Sequence, residues 1–178
     1  MSLVLQSTGG GQITIQEPAT ASNFTQTLPA ASGEVMVSGN MPAFSAYGGA
    51  QTLTTAVATK IANNTEVFDT NNNFDSTTNY RFTPAVAGYY QVTAAIRDST
   101  GATVGALNVS IYKNGSAYSS AQFVNSNQGI SAIVTSLIYM NGSTDYVEQY
   151  VTQNSGLNMA VGANQNLNYF QAVMVRAA

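Results

Sequence analysis

FDSTTNYRFTPAVAGYY, residues 74–90, is the stretch of this sequence that says most about its fold. Phe82, Pro84, Gly88 and Tyr90 stand at fixed offsets within it. A proline is tolerated at the end of a β-strand, and a glycine at such a place marks either a turn with positive φ or a close approach of two backbones. The two aromatic residues are expected in the core, because a buried ring removes about 150–250 Å² from water.

Segments of alternating polar and apolar residues, separated by turn signals, continue on both sides of this stretch. Tyr90, Val92, Ala94 and Ile96 alternate in the next segment, which is the period of a half-buried strand. Asn-Gly pairs at 114–115 and 141–142 are strong hairpin signals. The spacing predicts an all-β sandwich or jelly roll without helices, with Phe170 in the core. Strands are expected over residues 12–16, 23–28, 34–37, 52–54, 57–61, 80–83, 89–96, 107–112, 116–120, 130–140, 146–151 and 168–175.

The composition excludes several kinds of chemistry. The 178 residues include no Cys, His or Trp, so disulfides, zinc-type clusters, thiol nucleophiles and a Ser-His-Asp triad are excluded. Only 7% of residues are charged, the net charge is −3, and the Lys and Arg residues total 5, which is too few for a nucleic-acid interface. No apolar run approaches the roughly 18 residues of a membrane span, and no signal peptide is visible.

Several motifs from Met41 onward resemble the globular head of the complement C-one-q/TNF superfamily. The matching segments are PAFSA (42–46), NTEVF (64–68), the Phe-Pro-Gly-Tyr positions of the central stretch, VSIYKNG (109–115), DYVEQYV (145–151) and YFQAVMV (169–175). The chain departs from the family pattern at Val92 and Ala94, where aromatic residues are usual, and at Ala172, where glycine is usual. The resemblance implies a jelly-roll β-sandwich over residues 41–178.

The resemblance also implies an assembly. In this superfamily three jelly rolls pack around a threefold axis, so the chain is expected to form a homotrimer with an apolar seam. Tyr89, Tyr139 and Tyr150 are candidates to face that axis. Trimerisation would explain how a chain with so few charges avoids exposing large apolar patches.

The first forty residues differ from the rest. Short segments with two or three apolar residues alternate with Pro and Gly, and this is too little to bury a core. Residues 1–40 resemble the arms upstream of phage fibre and decoration domains, which implies attachment to a virion by strand pairing or by wrapping neighbouring chains. A flexible tail is the alternative. The candidate attachment residues are Ile13, Ile15, Phe24, Leu28, Val35 and Val37.

Candidates for catalysis or ion binding are few. A glycosidase needs two carboxylates across a sugar-sized gap, and the candidate pair is Asp69 with Asp75. The same residues and nearby carbonyls could hold Ca²⁺, but both lie in a loop rich in Asn and Thr, where solvated turn residues are the favoured interpretation. Gly9-Gly10-Gly11 lacks the Lys and Ser/Thr of a phosphate loop. We therefore expect no catalytic residue, no cofactor and no metal.

Together these observations favour a structural virion protein of a tailed bacteriophage. The hypothesis is a trimeric decoration or cement protein (a head fibre) on the capsid surface, held by its N-terminal arm. Its expected partners are sister chains and the major capsid protein or another virion protein, with no nucleic acid and no membrane insertion. The main alternative is the receptor- or glycan-binding tip of a phage tail fibre, whose ligand would be a host surface glycan. A secreted bacterial module of the same family is the third alternative, and an enzyme is the last.

Overall fold

The computed structural model describes residues 2–16, 35–98, 105–125 and 131–178, together with residues 19, 23, 25, 27, 30 and 32. The chain divides into two compact units, Met1–Gly33 and Glu34–Ala178. Phe24 and Leu28, two of the expected attachment residues, lie outside the described residues, and so do three of the six residues of the strand expected over residues 23–28.

The first unit contains a β-hairpin. β1 (Ser2–Gln6) pairs antiparallel with β2 (Gln12–Gln16). The turn closes with a hydrogen bond of 2.9 Å from the Ser7 N–H to the Gly11 carbonyl, and Gly10 has a φ of 85°, a conformation that glycine adopts without steric cost. Only the second of these strands was expected from the sequence.

The second unit contains the remaining strands. They are β3 (Ala43–Tyr47), β4 (Gln51–Leu53), β5 (Thr59–Lys60), β6 (Thr65–Asp69), β7 (Phe74–Asp75), β8 (Arg81–Phe82), β9 (Ala87–Arg97), β10 (Gly105–Lys113), β11 (Ser116–Asn125), β12 (Ser131–Asn141), β13 (Val147–Gln153), β14 (Met159–Val161) and β15 (Tyr169–Ala177). Among the described residues, the only helical element is a 3-10 turn over Ser38–Asn40.

Two antiparallel sheets form the sandwich. Sheet I has the strand order β12-β9-β15-β3-β6, and sheet II has the order β11-β10-β13-β8-β7, with β5 also paired to β13. β4 and β14 form a separate pair. Along the chain, β9 lies in sheet I, β10 and β11 in sheet II, β12 in sheet I, β13 in sheet II and β15 in sheet I. This alternation between facing sheets is the connectivity of a jelly roll.

The core lies between the two sheets and includes a cluster of aromatic rings. Phe44 stacks on Phe74 and on Phe82, with 4.5 Å between ring centroids in each pair. Phe170 meets Phe44 edge-on at 5.2 Å, and Tyr90 meets Phe82 edge-on at 5.7 Å. Such pairs add about 0.5–1.5 kcal/mol each beyond the area they bury. The cluster joins strands of both sheets and therefore fixes their packing.

The structure places the expected core residues inside. Phe82, Tyr90 and Phe170 are fully buried. The Tyr90 hydroxyl donates a hydrogen bond of 2.8 Å to the Val86 carbonyl, and burial raises the pKa of Tyr90 to about 12. Gly88 does not have a positive φ. It is needed because a Cβ atom there would overlap the carbonyl oxygen of Arg176 on the neighbouring strand.

The sequence predicted a strand over residues 34–37. This prediction is wrong for Val35–Val37, the described part of that range, because these residues are not in a strand. Met36 packs against the core of the second unit, and the Val37 N–H donates a hydrogen bond of 2.7 Å to the Asn40 side-chain oxygen. An asparagine side chain here takes a backbone group that a strand would use for its ladder. Val35 and Val37 are exposed, and they belong to the second unit.

Candidate functional site

The two carboxylates that were candidates for catalysis or Ca²⁺ binding lie at the ends of strands, Asp69 at the end of β6 and Asp75 at the end of β7, and both bind the turns that follow. Asp69 Oδ2 accepts a hydrogen bond of 2.7 Å from the Phe74 N–H. Asp75 Oδ1 accepts hydrogen bonds from the backbone N–H groups of Thr78 (2.9 Å) and Thr77 (3.0 Å). These bonds hold the pKa of Asp75 well below its usual range, because they stabilise the charged form. Both carboxylates are therefore engaged in shaping their own loop.

The described ranges hold no metal cluster and no membrane-spanning helix. No three Asp, Glu, His or Cys side chains there are grouped as a metal site would require. No helix in the same ranges is long and apolar enough to cross a membrane. The notable features of the second unit are instead the two outer faces of the sandwich, which differ in chemistry.

The outer face of sheet I is apolar and exposed, and we call it the apolar face. Its large exposed side chains are Phe68, Tyr89, Ile133, Leu137, Tyr139 and Val173. They come from β6, β9, β12 and β15, so the patch crosses most of the sheet. A folded chain rarely leaves a patch of this kind to water unless something covers it.

The strand register shows how the side chains of the apolar face are arranged. Leu137 lies opposite Gln91, which in turn lies opposite Val173. Tyr139 lies opposite Tyr89, and their ring centroids are 5.5 Å apart. Cross-strand neighbours on one face of a sheet are in contact, so these side chains form one surface. Two of the three tyrosines expected at a trimer axis are on it.

Polar groups interrupt this surface in its middle. The Thr93 and Thr135 hydroxyls share a hydrogen bond of 3.0 Å. Gln91, Gln171 and Phe68 line a depression of about 250 Å³ beside them. A partner that covers the apolar face must therefore also meet the two amides, because a buried amide without a hydrogen bond is costly.

The outer face of sheet II is polar and carries tyrosines. Tyr150, the third tyrosine expected at the trimer axis, lies here because β13 belongs to sheet II. Its ring stacks on that of Tyr112, with 4.0 Å between centroids. Glu148, nearly buried, binds the Lys60 ammonium at 2.7 Å, so these two charges neutralise each other. Burial, then the Glu148 charge, raises the pKa of Tyr150.

The hairpin of the first unit has its own exposed apolar side. Leu5 lies opposite Ile13, and Ile15 is two residues further along β2 on the same side. All three side chains are at least half exposed. A two-stranded hairpin is marginally stable alone in water, so this side is suited to a partner.

Comparison of the whole chain with known proteins gives matches in structure only. No family model and no curated protein matches the sequence. The TNF protein Eiger from S. frugiperda superposes with a TM-score of 0.58 at 8% identity, over 78% of this chain and 95% of Eiger. Murine APRIL gives 0.59 at 6% identity, over 76% of this chain and 99% of APRIL. The vertex protein P5 of PRD1 gives 0.57 at 16% identity, over 78% of this chain and 98% of P5.

These similarities confirm the TNF-like jelly-roll fold that the sequence predicted. At identities of 6–16% they establish the fold alone.

Proposed function

We propose that this TNF-like jelly roll is a structural protein of a tailed-phage virion. It would form a homotrimer that decorates or cements the capsid, held there by its N-terminal unit. The observation that carries the proposal is the similarity to a phage vertex protein, which has the highest identity of the three structures compared, 16% against 8% and 6%. This chain thus shares the fold of a known virion component over 98% of that component's length.

The apolar face supports the trimer. Leu137 and Ile133 are 58% and 55% exposed in the single chain, and covering them with sister chains would remove that area from water. The resemblance found in the sequence implies the same threefold assembly. Gln91 and Gln171 would then be covered as well, and each amide can both donate and accept a hydrogen bond with polar groups of the neighbouring chain.

The hairpin supports attachment. Leu5, Ile13 and Ile15 form an exposed apolar side on the hairpin, none of whose described side chains is buried. The hairpin segment, residues 2–16, contains no charged residue, so docking against a protein shell would require no desolvation of charge. The capsid protein or another virion protein is the proposed occupant.

The attachment is tested by adding purified protein to phage particles that lack it. The full chain should sediment with the particles, and residues 34–178 alone should form the trimer but remain in the supernatant. Deletion of 1–33 is preferred to deletion of 1–40, because Met36 packs against the core of the second unit.

A matched pair of full-length variants sharpens this test. Ile13→Asn with Ile15→Asn should abolish sedimentation, whereas Gln12→Asn with Gln16→Asn, on the alternate positions of the same strand, should preserve it. Sedimentation of the 34–178 protein, or of the isoleucine variant at the full-chain level, would show that the hairpin is not the anchor.

A receptor-binding tip is the second candidate. It is favoured by one observation, the polar, tyrosine-bearing outer face of sheet II, which lies on the opposite side of the sandwich from the apolar face.

A further inference from the structure

A cleft of about 360 Å³ opens on the sheet II side of the second unit. Its polar side chains are Asn108, Gln122, Thr152 and Asn154, and Ala56 stands at its rim. Asn108 lies opposite Gln122 on one side and Thr152 on the other, so three neighbouring strands present one row of polar groups. The volume is within the range of about 300–1,000 Å³ that small-molecule sites occupy.

The side chains of this polar row have donor and acceptor groups that the described residues leave unused. The Ser110 hydroxyl donates to Asn108 Oδ1 at 3.1 Å and is itself bonded to the Ser120 hydroxyl at 2.8 Å. This arrangement leaves the Asn108 amide nitrogen as a donor. Within the ranges that the structure describes, the side chains of Gln122 and Thr152 make no hydrogen bond.

The rim is held in a strained but well-supported conformation. Ala56 has a φ of 59°, a value that costs a residue with a side chain about 1–3 kcal/mol and is typical of ligand-binding segments. Its N–H donates a hydrogen bond of 2.7 Å to the Gln153 carbonyl. The buried Gln153 amide in turn donates to the Leu53 carbonyl at 3.1 Å and accepts from the Ser155 N–H at 2.8 Å. Gln153 therefore fixes the backbone on both sides of the cleft, at Ala56 on one side and at Ser155 on the other.

Aromatic surface adjoins the cleft. Tyr150 is two residues before Thr152 on β13, so both project from the same face of the sheet. Its stacked partner Tyr112 extends the aromatic surface by one strand. Rings beside convergent amides and hydroxyls can pack against the C–H groups of a ligand while the polar row binds its hydroxyls.

The absence of charged residues from the lining of the cleft indicates the class of ligand. None of the residues that line it is charged, so it has no counter-charge for a phosphate, a sulfate or an ammonium group. Sugar hydroxyls both donate and accept hydrogen bonds, as do the side chains of this row. We propose that the cleft binds a neutral glycan, through Asn108, Gln122 and Thr152. The inference goes beyond the structural role and holds for either virion location.

Binding is tested with the full-length protein and an immobilised panel of oligosaccharides. The probes are neutral oligosaccharides of hexoses and of N-acetylhexosamines, with a heparin oligosaccharide as the polyanion. We expect at least one neutral probe to bind, with an affinity unchanged between about 0.15 and 0.5 M salt, because no ion pair is involved. Binding of heparin alone, or of no neutral probe, overturns the proposal.

Matched variants locate the site. Gln122→Ala and Thr152→Ala should each weaken binding of the neutral probe about three- to tenfold, as expected for one lost hydrogen bond, and the double variant about ten- to a hundredfold. Gln165→Ala, in the exposed turn before β15 and not among the residues that line the cleft, is the control and should bind normally. Unchanged binding by the double variant, or an equal loss in the control, rules out this cleft.

The outcome is independent of the structural proposal. The trimer mass and sedimentation with particles are measured on the same variants, and both should be normal. If a cleft variant loses glycan binding but still sediments with the particles, the cleft binds glycan and has no part in attachment. If the isoleucine variant no longer sediments but still binds glycan, the hairpin is the anchor and has no part in glycan binding.

Discussion

Replacing Leu137 tests whether sister chains cover the apolar face. The side chain is 58% exposed in the single chain and lies in the middle of β12, opposite Gln91. Full burial of a leucine contributes about 1.5–3 kcal/mol, so covering the exposed 58% contributes about 1–2 kcal/mol per chain. Three chains then give about 3–5 kcal/mol per trimer, or roughly two to four powers of ten in the association constant.

Leu137→Ala should therefore shift dissociation of the trimer to a protein concentration measurably higher than for the unmodified chain. Leu137→Arg should prevent the trimer at micromolar concentrations, because each seam would then bury an unpaired charge. Light scattering after gel filtration measures the mass over a dilution series. Circular dichroism checks that each variant keeps its β structure.

Leu157→Ala and Leu157→Arg are the matched controls. Leu157 is 75% exposed, more than Leu137, but it lies between β13 and β14 and so outside the strands of sheet I. Both control variants should assemble normally. A trimer of normal mass and stability in Leu137→Arg would refute the assignment of the apolar face as the seam, as would a monomeric unmodified chain.

Three predictions concern stability. Phe170→Ala should lower the free energy of unfolding by about 3–5 kcal/mol, because the ring is fully buried in the aromatic cluster; a loss below about 1 kcal/mol in a urea titration would contradict that packing. Gly88→Ala should cost about 1–3 kcal/mol through overlap with the neighbouring strand, whereas Gly39→Ala, where a Cβ meets nothing within 4 Å, should be neutral; equal effects would be evidence against the close approach. Burial opposes charge on Asp145, but hydrogen bonds from Asn114 and Lys113 prevail and hold its pKa below the usual 3.8. The Asp145 carboxylate therefore contributes to the free energy of unfolding at pH values above 3.8, and this contribution is lost as the pH falls through the lowered pKa. Asp145→Asn should lower the free energy of unfolding by about 1–3 kcal/mol at pH 7 and by progressively less below about pH 4. A difference between the two proteins that does not change with pH would contradict this.

The jelly roll was predictable because its local signals agree with the final packing. Tyr90, Val92 and Ile96 alternate in the sequence and face the core in the structure. The Asn114-Gly115 pair forms the expected hairpin turn, with φ values of 52° and 80°, and Gly142 also adopts a positive φ. Turn residues and strand period are local properties, so one sequence is enough to read them.

The assignment of strands to sheets was not predictable in the same way. Tyr89, Tyr139 and Tyr150 all occupy alternating strands, but only the first two share an outer face. A signal for the apolar face was present in β12, where both alternating sets contain large apolar residues, such as Leu137 and Ile138. Apolar residues on both sides of a strand indicate that both sides are covered.

The cleft on sheet II is the least predictable feature. Asn108, Gln122, Thr152 and Ala56 come from four separate segments, and only the strand register brings them together. Their residue types are ordinary for exposed positions, so no local pattern marks them. The strained φ of Ala56 likewise depends on a carbonyl far along the chain, that of Gln153.

The most direct test of the central claim is electron microscopy of intact phage particles from the source lysate. The probe is a gold-labelled antibody raised against residues 34–178. We expect label spread over the heads, and its loss from particles whose only copy of the gene encodes the Ile13→Asn, Ile15→Asn variant. Particles without label, or with label confined to the tail end, would contradict a capsid decoration protein held by its N-terminal hairpin.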